Sequence, residues 1–125
     1  FHLGIYCKET SQLIGFFAMF VNYQQKVAKT NVLVGNREYW GKNVVLEVRT
    51  IMLGFLFNEL AMEKVEGEIL GRNLSSIFNY QAQGFKSEGV RRSQILDPEG
   101  NRTDIYHFGL LKSEWQKIKE EKQIK

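Results

Sequence analysis

The sequence predicts a mixed α/β fold of the α+β type, with a central, mostly antiparallel twisted sheet flanked by helices. Segments rich in aromatic and branched residues are interspersed with segments whose apolar residues recur at helical spacing. Short polar turns join several of the predicted strands as hairpins, which favours antiparallel pairing. With 125 residues, 43% of them hydrophobic, the chain can bury one substantial core. We therefore expect one domain over residues 1–125, in the order β-β-β-α-β-α-β-β-α.

Three strands are predicted in the first third of the chain. Phe1 to Cys7 and Gln12 to Tyr23 are rich in aromatic and branched residues, and they flank the polar segment Lys8 to Ser11. This pattern indicates two antiparallel strands joined by a short turn. A third strand is predicted over Asn31 to Gly35, after a polar turn from Gln24 to Lys29.

A helix is predicted after Gly41, running to about Leu60. Its apolar residues are spaced as one helical face. They are Val44, Val48, Ile51, Met52, Phe55 and Leu56. The segment Lys64 to Leu70 then indicates another strand. The predicted helix therefore connects two strands, with a loop before it.

The second helix is predicted from Asn73 to about Gln83, with Gly84 as its C-terminal stop. At 100° per residue, Asn73, Ser76 and Tyr80 fall within about 60° of one another, so two polar groups and a phenol share one surface. The adjoining sector is apolar. It contains Leu74, Ile77 and Phe78.

The last elements form a hairpin and a tail. Phe85 to Leu96 and Arg102 to Leu111 are predicted strands, joined by the turn Asp97-Pro98-Glu99-Gly100-Asn101. The charged tail from Lys112 to Lys125 is interpreted as a solvated terminal helix rather than one packed through Trp115 and Ile118. We interpret His107, whose strand alternation groups it with Ile105 and Gly109, as structural.

Composition excludes several classes of function. Seventeen basic and fourteen acidic residues give a charge of +3, and they are interspersed, which argues against nucleic-acid binding. The single cysteine, Cys7, cannot form an internal disulfide or a zinc cluster, so we expect no metal, a cytoplasmic location and a small buried thiol. The apolar run from Leu13 to Val21 is shorter than the roughly 20 residues of a membrane span, and no secretory signal is evident.

The pattern N-x-x-[SA]-x-x-x-Y-x-x-x-G-F occurs at Asn73, Ser76, Tyr80, Gly84 and Phe85. It resembles the acetyl-CoA-binding helix of the GNAT N-acetyltransferases, and the branch of RimJ and RimL is the nearest. Two further stretches resemble the family's hairpin and its closing strand and tail. They are Glu9 to Gly15 and Asp104 to Trp115.

This resemblance implies a site for acetyl-CoA as the acetyl donor. In the family two strands splay apart, and the pantetheine arm pairs with an open strand edge, which corresponds to Val32, Leu33 and Val34. A loop at a helix start then holds the pyrophosphate through backbone N–H groups. The corresponding residues are Trp40, Gly41, Lys42, Asn43, Val44 and Val45.

The loop departs from the family pattern at three positions. Trp40 replaces glutamine or arginine, Asn43 replaces a glycine, and Val45 replaces a small residue. The N–H donors survive these changes, and asparagine tolerates a left-handed backbone at a cost of roughly 1 kcal/mol relative to glycine. The branched side chain of Val45 is expected to crowd the phosphates and weaken CoA binding, which Lys42 could partly offset.

The resemblance also implies catalytic roles. The phenol of Tyr80 would protonate the departing thiolate, since phenols stay protonated at neutral pH. The alternative is that Tyr80 only packs at the helix edge. An amide of the open strand, that of Leu33 or Val34, would stabilise the oxyanion. Asn73 is expected to be a helix N-cap, a cofactor contact or both, and Ser76 either reaches the pantetheine or permits close packing. The sequence assigns no general base.

The resulting hypothesis is an N-acetyltransferase that acts on a peptide α-amine or a small primary amine by direct attack. The alternative is a non-catalytic binding module on the same scaffold. Family members carry a strand and two helices ahead of the segment corresponding to Phe1, which leaves three options: a fragment, a site closed by a partner, or an open groove. An exposed first strand also invites a homodimer. Four basic residues of the last hairpin either attract an anionic acceptor or are simply solvated. They are Lys86, Arg91, Arg92 and Arg102.

Overall fold

The computed structural model describes residues 1–40 and 43–124 and confirms the predicted order of elements. The strands are β1 (His2–Tyr6), β2 (Leu13–Asn22), β3 (Val27–Val34), β4 (Lys64–Leu70), β5 (Lys86–Leu96) and β6 (Arg102–Leu111). The helices are α1 (Val44–Gly54), α2 (Leu74–Ala82) and α3 (Lys112–Ile124). A 3₁₀ turn covers Arg37–Tyr39, and a π-helical turn, Phe55–Glu59, directly follows α1.

The six strands form one sheet in the order β1-β2-β3-β4-β6-β5, in which only β3 and β4 are parallel neighbours. That parallel pairing covers Val27 to Lys29 against Lys64 to Glu66 and then stops, although both strands continue. The two strands therefore diverge, and the edge of β3 from residue 30 onward faces a gap. The splayed strand pair implied by the family resemblance is present.

One face of the sheet carries the core. Alternation along β2 buries Phe17 and Met19 and exposes Phe16 and Phe20 on the other face. The core cluster joins sheet residues to residues of the helices and the π-helical turn. They include Ala28, Val65, Phe108, Leu53, Leu56, Phe57 and Trp115. The helices thus pack on one face and hold the polar side of α2 against the gap between β3 and β4.

Two predicted boundaries differ from the structure. β3 begins at Val27 rather than Asn31, because Ala28 and Thr30 are buried in alternation and continue the strand inward. The preceding turn ends at Lys26, which has a φ of 57°. The predicted helix to Leu60 is α-helical only to Gly54 and continues as the π-helical turn.

The predicted apolar faces of α1 and α2 were partly wrong. Ile51 is exposed, whereas Arg49 and Leu53 are buried. On α2, Ile77 packs against the core, but Leu74 is 63% exposed and Phe78 is 68% exposed. The physical reason is that only a narrow stripe of each helix contacts the sheet, and the spacing of apolar residues overestimated its width.

The interpretation of the C-terminal helix as solvated was also wrong. Trp115 is only 8% exposed, and its ring lies 4.9 Å from that of Phe57. Ile118 packs against the core cluster beside Gly84. One apolar stripe therefore holds α3 on the sheet although most of its residues are charged. Among the residues that the structure describes, no helix has the length and apolar character needed to cross a membrane.

Candidate active site

A cavity of about 370 Å³ lies between the open edge of β3, the start of α1 and the polar side of α2. We call it the edge cavity. It brings together most of the predicted cofactor residues: Val32, Leu33, Val34, Trp40, Asn43, Val44, Val45, Asn73 and Ser76. The sequence did not single out three other lining residues, Tyr39, Ser75 and Asn79. Gly41 and Lys42 lie outside the described residues.

Hydrogen bonds fix which peptide groups of β3 face the gap. The N–H of Gly35 donates to the carbonyl oxygen of Ile14 in the β2 direction, at 3.0 Å. The carbonyl of Val34 points the other way and accepts a hydrogen bond from Trp40 Nε1 at 2.7 Å. Because peptide directions alternate along a strand, the amides of Val32 and Val34 face the gap and that of Leu33 faces β2.

Asn43 holds the left-handed conformation at the start of α1, with φ 62° and ψ 20°. The family has glycine at this position, and we expected asparagine to tolerate the left-handed backbone that glycine adopts there. No side chain caps the helix, so its first N–H groups, which begin at Val44, are not satisfied by a capping side chain. Uncapped amides and the positive helix end together form an environment suited to an anion.

Asn73 and Ser76 begin the polar side of α2. The side chain of Asn73 accepts a hydrogen bond from the N–H of Ser76 at 3.2 Å. Asn73 is therefore the helix N-cap, which is one of the two roles expected for it. Both residues line the edge cavity, and Asn79 continues the lining one turn later. A polar wall thus runs along α2 opposite the gap-facing amides of β3.

Tyr80 does not line the edge cavity; it is buried beneath it and only 3% exposed. Its ring stacks on Phe108 at 5.4 Å between centroids and meets Phe85 edge-on at 4.9 Å. Its hydroxyl lies against Gly67, where an added Cβ would come within 2.5 Å of the Tyr80 Cζ atom. Gly67 directly follows Glu66, the last residue of β4 paired with β3. The hydroxyl therefore lies where the gap opens.

Arg49 is a buried cation that the sequence did not reveal, because it sits within an apolar helical pattern. It is 3% exposed, and its guanidinium carbon lies 3.9 Å from the centroid of the Tyr80 ring. Its Nη1 donates to Gln83 Oε1 at 3.1 Å, whereas its buried Nε has no hydrogen-bond partner among the described residues. Burial lowers the pKa of the guanidinium, and the neighbouring Tyr80 opposes this shift.

A second cavity, of about 270 Å³, lies where β3 and β4 diverge and includes side chains of the sheet's outer face. We call it the outer cavity. It is lined by Phe20, Lys29, Thr30, Asn31 and Glu68. Lys29 Nζ lies 2.6 Å from Glu68 Oε1, and His107 Nδ1 lies 3.6 Å from the same oxygen. The hydrogen bond from Lys29 is the main reason that the pKa of Glu68 is lowered.

Cys7 is half-buried rather than fully buried as expected. Hydrogen bonding by Tyr39, followed by that of Thr10, lowers the pKa of its thiol to about 7. The same contact with Cys7 raises the pKa of Tyr39, which lines the edge cavity. Within residues 1–40 and 43–124, no three His, Cys, Asp or Glu side chains are grouped to hold a metal ion.

Two curated relatives match the sequence, whereas no family model does. The probable N-acetyltransferase YjcK of Bacillus subtilis is 26% identical over 98 residues, which cover 76% of this chain and 53% of that protein. The uncharacterized N-acetyltransferase p20 of Bacillus licheniformis is 28% identical over 113 residues, which cover 90% and 62% of the two chains. This chain therefore spans roughly half to three fifths of their length.

Solved structures share the fold. A dodecameric spermidine N-acetyltransferase from Vibrio cholerae superposes with a TM-score of 0.83 at 20% identity, over 91% of this chain and 66% of the other. A probable acetyltransferase superposes with a TM-score of 0.78 at 23% identity, over 84% and 59% of the two chains. The fold of the chain is that of the GNAT acetyltransferases, and its two sequence relatives are named N-acetyltransferases.

Proposed function

We propose that the chain is an N-acetyltransferase that transfers an acetyl group from acetyl-CoA to a primary amine by direct attack. One observation carries this proposal: the edge cavity joins gap-facing strand amides, an uncapped helix start and a polar helix face, with Tyr80 buried on the same helix. The named N-acetyltransferase relatives support an enzyme of this class and do not favour the non-catalytic alternative.

The proposed cofactor position follows the cavity. The pantetheine arm pairs with the gap-facing groups of Val32 and Val34, while Asn73 and Ser76 face it from α2. The diphosphate lies at the start of α1, against the amides of Val44 and Val45. We keep Gly41 and Lys42 in this loop as predicted contacts. Because Trp40 already occupies the carbonyl of Val34, CoA either leaves this bond in place or displaces the indole.

The neutral amine attacks the thioester carbonyl near the divergence of β3 and β4, and a gap-facing amide of β3 donates to the oxyanion. The amide of Leu33 faces β2, and of the two gap-facing amides Val32 lies closer to the divergence than Val34. As the intermediate collapses the C–S bond breaks, and Tyr80 gives its proton to the thiolate. The proton that the amine nitrogen loses restores the phenol, so a neutral amine and acetyl-CoA yield the amide and the free thiol, and an amine that enters as the ammonium ion releases one further proton.

Glu68 is our candidate for the base that the sequence left unassigned. It follows Gly67 in β4, so its side chain points to the face opposite the one where the Tyr80 hydroxyl lies. An amine entering the outer cavity would meet this carboxylate before it reached the thioester. Glu68 would hold the ammonium and accept or relay the proton that it loses.

Several finer assignments belong to the same proposal. A peptide α-amine or a small primary amine is the acceptor, and the RimJ and RimL branch remains our assignment within the superfamily. We treat residues 1–125 as one catalytic domain in the cytoplasm, and the exposed edge of β1 as the surface available for a homodimer.

The proposed activity is tested by mixing the chain with acetyl-CoA and a panel of primary amines and measuring release of free thiol. We expect thiol to appear in step with an acetylated amine identified by mass spectrometry. Thiol release without any acetylated amine would indicate hydrolysis, and the absence of both products with every amine would contradict the assignment as an acetyltransferase.

The pair Asn43→Gly and Val45→Ala should tighten CoA binding several-fold. Glycine adopts the left-handed backbone without strain, and alanine removes branched methyl groups from the proposed diphosphate site. Calorimetric titration with CoA measures the change. Val48→Ala, one turn further along α1 and outside the edge cavity, is the control. A dissociation constant that stays the same in the double variant would show that these side chains do not limit binding.

A further inference from the structure

We propose that the acceptor is a small zwitterion, an α-amino acid whose ammonium group binds Glu68 while its carboxylate binds Lys29. This inference rests on the proposed acetyl transfer and narrows the acceptor from amines in general to one chemical class. It is carried by the outer cavity, which lies beside the proposed reaction centre.

The position of the outer cavity fits an acceptor site. Lys29 is the last residue of β3 paired with β4, so Thr30 is the first whose peptide groups face the gap. Glu68 lies across the gap on β4 and follows Gly67, so its side chain is on the face opposite the Tyr80 hydroxyl. An amine held by Glu68 would therefore lie at the divergence of the strands, where the thioester is proposed to end.

The charges of the outer cavity are paired rather than of one sign. Lys29 and Glu68 form a half-exposed ion pair with 2.6 Å between Nζ and Oε1. Exposed ion pairs of this kind contribute little to folding stability, so a ligand can separate Lys29 from Glu68 and bind both at a small cost in free energy. Because the two side chains are so close, a ligand that replaces both partners must carry its own two charges close together. An α-amino acid does so, whereas a long polyamine brings only positive charge.

An imidazole and a further cation lie around the Glu68 carboxylate. His107 Nδ1 lies 3.6 Å from Glu68, and the charge of Arg91 also acts on this carboxylate. A polycationic acceptor would add positive charge to Lys29 and Arg91, whereas the carboxylate of a zwitterion would be attracted by both. The charges of the outer cavity therefore favour a different acceptor from the spermidine for which the Vibrio cholerae protein of the same fold is named.

A polar group beside the ion pair can complete the carboxylate site. The side-chain amide of Asn31 shares the outer face with Lys29 and is a donor for the carboxylate, and the exposed ring of Phe20 forms an apolar wall for a side chain. The side chain of Thr30 is buried on the opposite face with Ala28, so it is not part of this carboxylate site.

The test compares amino acids with the amines that remain when their carboxylate is removed. Thiol release from acetyl-CoA is measured with glycine, L-leucine and L-phenylalanine, with methylamine, isoamylamine and 2-phenylethylamine, and with spermidine. We expect kcat/KM to be about tenfold or more higher for at least one amino acid than for its decarboxylated amine, as a charge-assisted hydrogen bond implies. Lys29→Met should remove this preference, whereas Lys117→Met, at an exposed position of α3, should retain it.

A binding measurement separates this inference from the proposed activity. The imidazole resonances of His107 are followed by NMR as each amine is added. A shift with an amino acid that is lost in Lys29→Met supports the inference even if no thiol is released, and then only the proposed activity fails. Turnover that favours spermidine or the decarboxylated amines overturns the inference and leaves acetyl transfer standing. An amino acid that neither shifts His107 nor reacts also overturns it.

Discussion

Gly67→Ala is expected to lower kcat/KM about 100-fold or more and to destabilise the chain by roughly 1–3 kcal/mol, as overpacking does in well-packed cores. The added methyl group would overlap the hydroxyl end of the Tyr80 side chain. That ring cannot move aside, because Phe85 and Phe108 hold it on either side. The substitution should therefore displace β4 or the phenol at the point where the proposed reaction occurs.

The matched control is Gly54→Ala at the end of α1. No atom lies within 4 Å of the Cβ that it would add, and alanine favours a helix by roughly 1 kcal/mol over glycine. Urea unfolding and thiol release measure both variants. We expect Gly54→Ala to leave the free energy of unfolding unchanged or to raise it, with full activity. Native stability and activity in Gly67→Ala would show that the Tyr80 hydroxyl does not lie against this residue.

Tyr80→Phe is expected to lower kcat about 10²- to 10⁴-fold, the range typical of removing a general acid. The ring and its contacts with Phe85 and Phe108 are retained, while the hydrogen bond to the buried Arg49 is lost, so folding stability should fall modestly and the KM for acetyl-CoA should change little. Steady-state kinetics with thiol detection separate the two parameters. The control is Tyr23→Phe, because Tyr23 is exposed in the turn after β2.

An unchanged kcat in Tyr80→Phe would assign Tyr80 to packing alone, which is the alternative that the sequence left open. Its burial by aromatic rings and its absence from the lining of the edge cavity are consistent with such a role. A loss of kcat that accompanies loss of folding would point the same way. The kinetic comparison therefore decides between acid catalysis and core packing.

The sequence predicted the order of elements because strand and helix periodicities are strong in this chain. Lys64 to Leu70 matches β4, and the N-cap Asn73 and the stop Gly84 bound α2 as expected. Most of the residues predicted to contact the cofactor line the edge cavity, because resemblance places a strand edge, a loop and a helix in a fixed order. Their convergence on one cavity then follows from the splay of β3 and β4.

The sequence could not reveal contacts between distant elements. Gly67 looks like an ordinary strand glycine until the phenol of Tyr80 is placed over it. Arg49 falls within an apolar helical pattern, and its burial depends on the Tyr80 ring and Gln83, which lie more than thirty residues further along the chain. Glu68 becomes a candidate base only once its neighbours Lys29 and His107 are known.

Strand alternation shows which of the two candidate amides, Leu33 or Val34, faces the gap between β3 and β4. The sequence offered Leu33 or Val34 as the oxyanion donor, since both belong to the open strand. The bonds made by Gly35 and Val34 direct the amide of Leu33 toward β2. Because neighbouring peptide groups point in opposite directions, a shift of one residue along β3 would change which amides can contact a cofactor.

Calorimetric titration of the unmodified chain with acetyl-CoA tests the central claim most directly, namely that the free edge of β3 and the start of α1 bind an acyl-CoA. We predict a saturable signal with one site per chain, a dissociation constant below the millimolar range, and competition by CoA. No heat of binding at millimolar acetyl-CoA, in protein shown to be folded by circular dichroism, would contradict the account.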